Sequence, residues 1–135
     1  MKIAIVKLSA LGDIVHAMIV LQFIKKYNKD IKIDWIVEEG YKELLDSHPD
    51  INKVLVVNLK KSKKKKSFFL LLNELKKVRQ FDFYDLVIDL QGLIKSAIIS
   101  QAIPSDVTLG FDRFSVREGL SAFFYTKTFK FSYDE

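Results

Sequence analysis

The segment KLSALGDIVHAM, residues 7–18, contains two side chains that could exchange a proton with a substrate. Asp13 follows a turn of small residues, and His16 comes one turn later if the segment is helical. A carboxylate or an imidazole beside a hydroxyl group can act as a general base. Composition alone favours Asp13 as an N-cap or first-turn carboxylate that the helix dipole stabilises, and His16 as a packed histidine.

Two other stretches carry polar groups directly after strand-like runs. In DLQGLIKSA these are Gln91 and Gly92, with Lys95 one turn further, and in DWIVEEGY they are Glu38 and Glu39. Taken singly, Gln91 is typical of a surface amide and Gly92 of a turn glycine, and the three charged residues are typical of solvated side chains. Their joint placement at strand ends is the stronger indication of a site.

A lysine run is the only compositionally biased segment. Six of the seven residues from Lys60 to Lys66 are lysine, and the chain has a net charge of +5. Such a run is usually a solvated loop, but it can also bind anions. A nucleic-acid surface is disfavoured, because neither an aromatic-interleaved RNA motif nor a helix-turn-helix accompanies the run.

Apolar runs typical of buried strands alternate with segments of helical periodicity. Strands are predicted at 2–8, 31–37, 52–59, 85–90 and 107–111, and helices at 13–27, 39–49, 67–81, 93–103 and 116–125. This alternation predicts an α/β domain with a parallel sheet and helices on both faces. Ligands of such sheets bind outside the carboxyl ends of the strands, the rim where Asp13 and Gln91 would lie. The first turn has one glycine, Gly12, so it lacks the dinucleotide-binding G-x-G-x-x-G pattern.

Length and composition exclude several classes of protein. The 135 residues fit one domain, and 49% apolar residues suffice for a globular core. The absence of cysteine excludes disulfides, thiolate metal sites and a thiol nucleophile, and it suits the cytoplasm. We find neither a signal peptide nor an uncharged apolar segment of roughly 18 residues that could span a membrane.

Four blocks, in this order and spacing, carry a resemblance to a known family: VKLSALGDIVHAM, DWIVEEGY, VIDLQGLIKSA and GFDRFSVREGLSAFFY. They resemble the N-terminal half of the lipopolysaccharide heptosyltransferase family, specifically its heptosyltransferase I branch, from Met1 to about Tyr125. The resemblance implies an inverting GT-B glycosyltransferase with two Rossmann-like domains facing a cleft. Residues 1–135 would be its N-terminal acceptor-binding domain. The C-terminal ADP-heptose-binding domain would be absent from this chain, so we expect the chain alone to be inactive.

The resemblance also implies the reaction. The parent enzyme would transfer L-glycero-D-manno-heptose from ADP-heptose to the inner Kdo of Kdo-lipid A, in lipopolysaccharide inner-core biosynthesis. Asp13 matches the family's general base, which takes the proton of the attacking hydroxyl while ADP leaves the opposite face of the sugar. Ile19 stands where the family often has proline. We expect no cofactor, since ADP-heptose is a substrate, and no metal.

We predict eight contacts to this acceptor, whose phosphates and sugar carboxylates are anionic. They are Lys60, Lys61, Lys63, Lys64, Gln91, Gly92, Lys95 and Arg117. Lysines supply point charges rather than the bidentate fork of arginine, so binding should be sensitive to salt. Arg117 could instead form a surface salt bridge.

Two alternatives stay open. The alternative within the family is heptosyltransferase II, which adds its sugar to the first heptose. The alternative from another class is a basic module that binds anions or nucleic acid without catalysis. DWIVEEGY and the lysine run favour heptosyltransferase I, with no nucleic-acid partner. We expect a cytoplasmic protein in peripheral contact with the anionic inner membrane.

Overall fold

The computed structural model describes residues 1–59, 68–91, 94–110 and 118–125, and five strands in these ranges form one parallel sheet. The strands are β1 (Lys2–Val6), β2 (Lys32–Glu38), β3 (Lys53–Val57), β4 (Tyr84–Asp89) and β5 (Ser105–Gly110). Their spatial order is β3-β2-β1-β4-β5, and all four neighbouring pairs are parallel. The predicted α/β parallel sheet is confirmed, with β1 at its centre.

Helices connect the strands. The described residues include α1 (Leu11–Ala17), α2 (Ile19–Tyr27), α3 (Lys42–Asp46), α4 (Phe68–Arg79), α5 (Ile94–Ala102) and α6 (118–125), and the 3-10 turn Glu39–Tyr41 precedes α3. The single helix predicted at 13–27 is wrong in two respects: it begins at Leu11, and it divides at Met18. The Met18 N–H donates to both Ile14 O (3.1 Å) and Val15 O (3.2 Å), which tightens the backbone there.

The core has two layers, one on each face of the sheet, because successive strand side chains point to opposite faces. On one face Ile3 and Ile5 of β1 belong to a cluster that includes side chains of α1, α2, α3 and α6. On the other face Ala4 and Val6 belong to a cluster with Val78 of α4 and residues of α5. The prediction of helices on both faces is therefore confirmed. The two layers cover the faces of the sheet, so a ligand site is expected at the strand ends.

At the amino-terminal edge of the sheet, polar groups are paired with one another, and two of them, Asp34 and Tyr84, are buried. The Tyr84 hydroxyl donates a 2.6 Å hydrogen bond to Asp34 Oδ2, and Asn52 Nδ2 donates to Asp34 Oδ1 at 3.1 Å. Burial, and next the hydrogen bond to Asp34, raise the pKa of Tyr84 above its ordinary value. Nearby, the Lys2 ammonium donates to the Asp82 carboxylate at 2.8 Å and lowers its pKa. These groups tie the strands together at the edge opposite the candidate site.

Candidate active site

Asp13 is the third residue of α1, at the carboxyl end of the central strand. Ala10 occupies the N-cap position with extended backbone, and its carbonyl oxygen accepts the Ile14 N–H at 2.9 Å. Asp13 is therefore a first-turn carboxylate, not an N-cap. The Ser9–Ala10 peptide bond that precedes the helix is cis.

The Asp13 carboxylate is accessible to a substrate. The residue is exposed, and within the described parts of the chain no hydrogen bond or ion pair occupies its side chain. A Cβ built on neighbouring Gly12 would meet no heavy atom within 4 Å, so the space beside Gly12 is open. His16 is also exposed, one turn later in α1, which contradicts the interpretation of His16 as a packed histidine. Both side chains can meet a hydroxyl group at this edge.

Gln91 follows β4 and reaches the loop that leads from β1 to α1. Its Oε1 accepts the backbone N–H of Leu8 at 3.1 Å and that of Ser9 at 3.4 Å, and its Nε2 donates to Ser9 Oγ at 3.5 Å. Gln91 is half-buried, so its interpretation as a plain surface amide is wrong. The structure thus brings Gln91 and the Asp13 loop together on one rim, as the strand ends predicted.

Asp89 is a member of this rim that sequence reasoning did not single out. It is only 6% exposed; its Oδ1 accepts the Gln91 N–H at 2.9 Å, and its Oδ2 accepts the Ser96 hydroxyl of α5 at 3.2 Å. A carboxylate that directly follows the apolar run Leu86–Ile88 was the available signal, since a buried charge requires hydrogen-bond partners. Ser9 was likewise missed, although it lies in the segment that contains Asp13.

Glu38 and Glu39, interpreted singly as solvated charges, make defined contacts at the end of β2. Glu38 Oε1 accepts the Leu59 N–H at 3.1 Å, and Glu39 Oε2 accepts Asn58 Nδ2 at 2.8 Å. Glu74 of α4 accepts the backbone N–H of Asn58 at 3.1 Å. These carboxylates hold the chain where it leaves β3, immediately before the lysine run.

Seven of the predicted acceptor contacts cannot be compared with this geometry. Outside the described residues lie Lys60, Lys61, Lys63, Lys64, Gly92 and Arg117, together with the side chain of Lys95. The backbone of Lys95 is in the first turn of α5, and the described part of α6 starts at the next residue in sequence after Arg117. These seven contacts stay predictions.

Over the ranges that the structure describes, no three histidine or acidic side chains converge in a way that could hold a metal ion. In the same ranges no helix combines the length and the apolar character needed to cross a bilayer.

The sheet and the carboxylate at its rim define a Rossmann-like α/β domain with a candidate general base, and comparison with known proteins gives the family. Residues 72–135 match the model of glycosyltransferase family 9 (heptosyltransferase). The chain is 44% identical, over 135 residues, to the lipopolysaccharide heptosyltransferase 1 of Campylobacter coli, covering 100% of this chain and 38% of that protein. It is 35% identical over 133 residues to the protein of the same name from Pseudomonas aeruginosa, covering 96% of this chain and 37% of that protein.

A solved structure agrees. The structure described as E. coli heptosyltransferase WaaC with ADP-2-deoxy-2-fluoro heptose matches with a TM-score of 0.73 at 34% identity, over 83% of this chain and 36% of that chain. The resemblance predicted from the sequence is confirmed, and the chain belongs to glycosyltransferase family 9. It spans well under half the length of these relatives.

Proposed function

We propose that the protein containing this chain transfers L-glycero-D-manno-heptose from ADP-heptose to the inner Kdo of Kdo-lipid A. Residues 1–135 would be its N-terminal acceptor-binding domain, and a C-terminal domain beyond this chain would bind ADP-heptose. The proposal is supported by the names of the two relatives and by the sugar nucleotide analogue that accompanies the E. coli enzyme in its solved structure. The name heptosyltransferase 1 favours addition of the first heptose over the second.

The observation that carries the proposal is the exposed Asp13 carboxylate at the carboxyl edge of the sheet. Asp13 would take the proton from the acceptor hydroxyl while its oxygen forms a bond to the anomeric carbon of heptose. The bond from that carbon to ADP breaks on the opposite face, so the configuration inverts and ADP leaves with the bonding electrons. His16, exposed on the same short helix, is the competing base.

The anionic acceptor would be held by basic side chains around this rim. The last described residues before the lysine run, Asn58 and Leu59, are fixed near the carboxyl edge by Glu39, Glu74 and Glu38. Lys60, Lys61, Lys63 and Lys64 would follow from that point, and Lys95 and Arg117 would add charge from the starts of α5 and α6. Point charges of this kind suit phosphates and sugar carboxylates.

The proposal includes no cofactor and no metal, because ADP-heptose is itself the donor substrate. It also includes a cytoplasmic location with peripheral contact to the anionic inner membrane. Leu11, Val15 and Ile19, spaced four residues apart along α1 and α2, are 57%, 50% and 59% exposed, and the chain carries a net charge of +5. Exposed apolar side chains together with positive charge favour binding to anionic bilayers.

The test incubates the full-length protein that contains residues 1–135 with ADP-heptose and deacylated Kdo-lipid A, with and without EDTA. We expect a product that is heavier by one heptose, in equal yield in both samples. Transfer only to an acceptor that already carries the first heptose would indicate heptosyltransferase II. A protein that transfers no heptose and binds a single-stranded oligonucleotide as tightly as the acceptor would be a basic binding module.

A further inference from the structure

The backbone between β1 and α1 is anchored from β2 at successive residues. The Lys7 N–H donates to Ile36 O at 3.3 Å, and the Lys7 carbonyl accepts the indole N–H of Trp35 at 3.0 Å. The Leu8 carbonyl accepts the Glu38 N–H at 3.1 Å. This leaves the N–H groups of Leu8 and Ser9, which point towards the β4 side of the sheet.

One side chain accepts both of these N–H groups. Gln91 Oε1 lies 3.1 Å from Leu8 N and 3.4 Å from Ser9 N, and Gln91 Nε2 lies 3.5 Å from Ser9 Oγ. A carbonyl oxygen has two lone pairs, so two N–H donors use its accepting capacity. The contact of this amide oxygen is therefore the loop rather than a ligand hydroxyl.

Gln91 is itself held in place. Its backbone N–H donates to the buried Asp89 carboxylate at 2.9 Å, and that carboxylate also accepts the hydroxyl of fully buried Ser96 at 3.2 Å. A series of hydrogen bonds thus runs from Ser96 in α5 through Asp89 and Gln91 to Ser9. A hydrogen-bonded network with buried groups at one end, here Asp89 and Ser96, makes local structure rigid.

We propose that Gln91 is a positioning residue for heptosyl transfer, one that fixes the first turn of α1 and thereby the place of Asp13. The inference rests on the proposed function of Asp13 as the base. Ala10, next to Ser9, accepts the first hydrogen bond of α1 from Ile14, so the orientation of the anchored loop sets that of the helix. A displacement of about 1 Å at a reacting group can lower a rate by about 100-fold.

Two substitutions separate positioning from direct acceptor contact in the full-length protein. Gln91→Leu has a similar shape but accepts no hydrogen bond, whereas Gln91→Glu keeps an oxygen that can accept both N–H groups and the Ser9 hydroxyl. We expect Gln91→Leu to lower kcat by about 100-fold, with KM for the acceptor within about twofold. Gln91→Glu should retain most of the wild-type kcat.

If Gln91 instead contacts the anionic acceptor directly, the substitutions should change KM rather than kcat. KM for the acceptor would then rise in both variants, and more in Gln91→Glu, whose added negative charge would repel phosphates and carboxylates. That result would overturn the proposal. Gln101→Leu makes the same change at an exposed position of α5 and is the matched control, with kcat and KM unchanged.

Hydrogen exchange of the Leu8 and Ser9 amides, followed by NMR, tests the anchoring without reference to activity. We expect exchange about tenfold faster in Gln91→Leu but not in Gln91→Glu, with the Ile5 amide of β1 unchanged. Unchanged exchange in Gln91→Leu would overturn the proposal. If that variant does not fold, Gln91→Asn, which keeps the amide but is one methylene shorter, replaces it. A wild-type protein without transfer activity would refute the proposed function, while exchange would still decide whether Gln91 holds the loop.

Discussion

The indole Nε1 of Trp35 donates a 3.0 Å hydrogen bond to the carbonyl oxygen of Lys7 and so joins the middle of β2 to the residue that follows β1. Trp35 is fully buried and is the single tryptophan of the chain. Its fluorescence therefore reports on the packing beneath the loop that leads to Asp13.

We predict that Trp35→Phe destabilises the protein by about 1–3 kcal/mol, because the Lys7 carbonyl loses a hydrogen bond and the core loses volume. Denaturant unfolding followed by circular dichroism measures this change. In the wild type, Trp35 emission and circular dichroism should give one common midpoint. A variant as stable as the wild type would mean that the indole hydrogen bond contributes nothing.

Asp13→Asn in the full-length protein should lower kcat by about 100- to 10,000-fold, since an amide cannot accept the proton of the attacking hydroxyl. Acceptor affinity should change little. Steady-state kinetics with ADP-heptose and deacylated Kdo-lipid A measure both quantities. Asp30→Asn removes another exposed carboxylate, in the turn before β2, and is the matched control. If Asp13→Asn is active and His16→Ala is not, the base is His16.

If Lys60, Lys61, Lys63 and Lys64 bind the acceptor, replacing them with Gln should weaken acceptor binding, because four positive charges are lost. Rising salt should weaken the wild type more than the variant, since the Debye length falls from about 30 Å at 0.01 M to about 8 Å at 0.15 M. Titration with deacylated Kdo-lipid A at low and high salt tests this, with ADP-heptose affinity as the unchanged control. Equal acceptor affinity in wild type and variant would indicate that the lysine run is a solvated loop without a role in acceptor binding.

Val15→Gln combined with Ile19→Gln should reduce sedimentation with anionic vesicles several-fold, because both exposed apolar side chains would leave the bilayer interface. Ile98→Gln changes an exposed isoleucine of α5, against the other face of the sheet, and should have no effect. Unchanged vesicle binding in the double variant would argue that Val15 and Ile19 contact protein rather than lipid.

Tyr84→Phe should destabilise the protein by about 1–3 kcal/mol near neutral pH, since buried Asp34 loses a 2.6 Å hydrogen bond. Because burial and the Asp34 carboxylate raise the pKa of Tyr84 above 10.0, the folded state favours the neutral phenol. Its stabilising effect is complete below pH 10 and is lost as the pH rises further.

Wild-type stability should therefore fall more steeply than that of Tyr84→Phe above about pH 10. Urea unfolding at a series of pH values measures both slopes. Tyr125→Phe changes a tyrosine that is 73% exposed and should behave like the wild type. Parallel slopes for wild type and Tyr84→Phe would refute a raised pKa.

Local pattern was sufficient to predict the five strands, the parallel sheet and the rim on which Asp13 and Gln91 lie. The buried strands β1 and β4 contain the apolar runs Ile3–Val6 and Leu86–Ile88, and the carboxyl ends of parallel strands meet at one edge whatever the loops contain. The family also followed from short blocks in a given order. The strands, the sheet, the rim and the family could all be predicted because each depends on residues that are neighbours in sequence.

Only the tertiary structure decided what the polar side chains of the rim contact. Gln91 reaches Leu8 and Ser9 across 83 and 82 residues, and Glu38 reaches Leu59 across 21. The division of the first helix at Met18 also depends on the bonds that its N–H makes. A side-chain amide or carboxylate finds its partner by proximity in space, which residue type and local spacing do not encode.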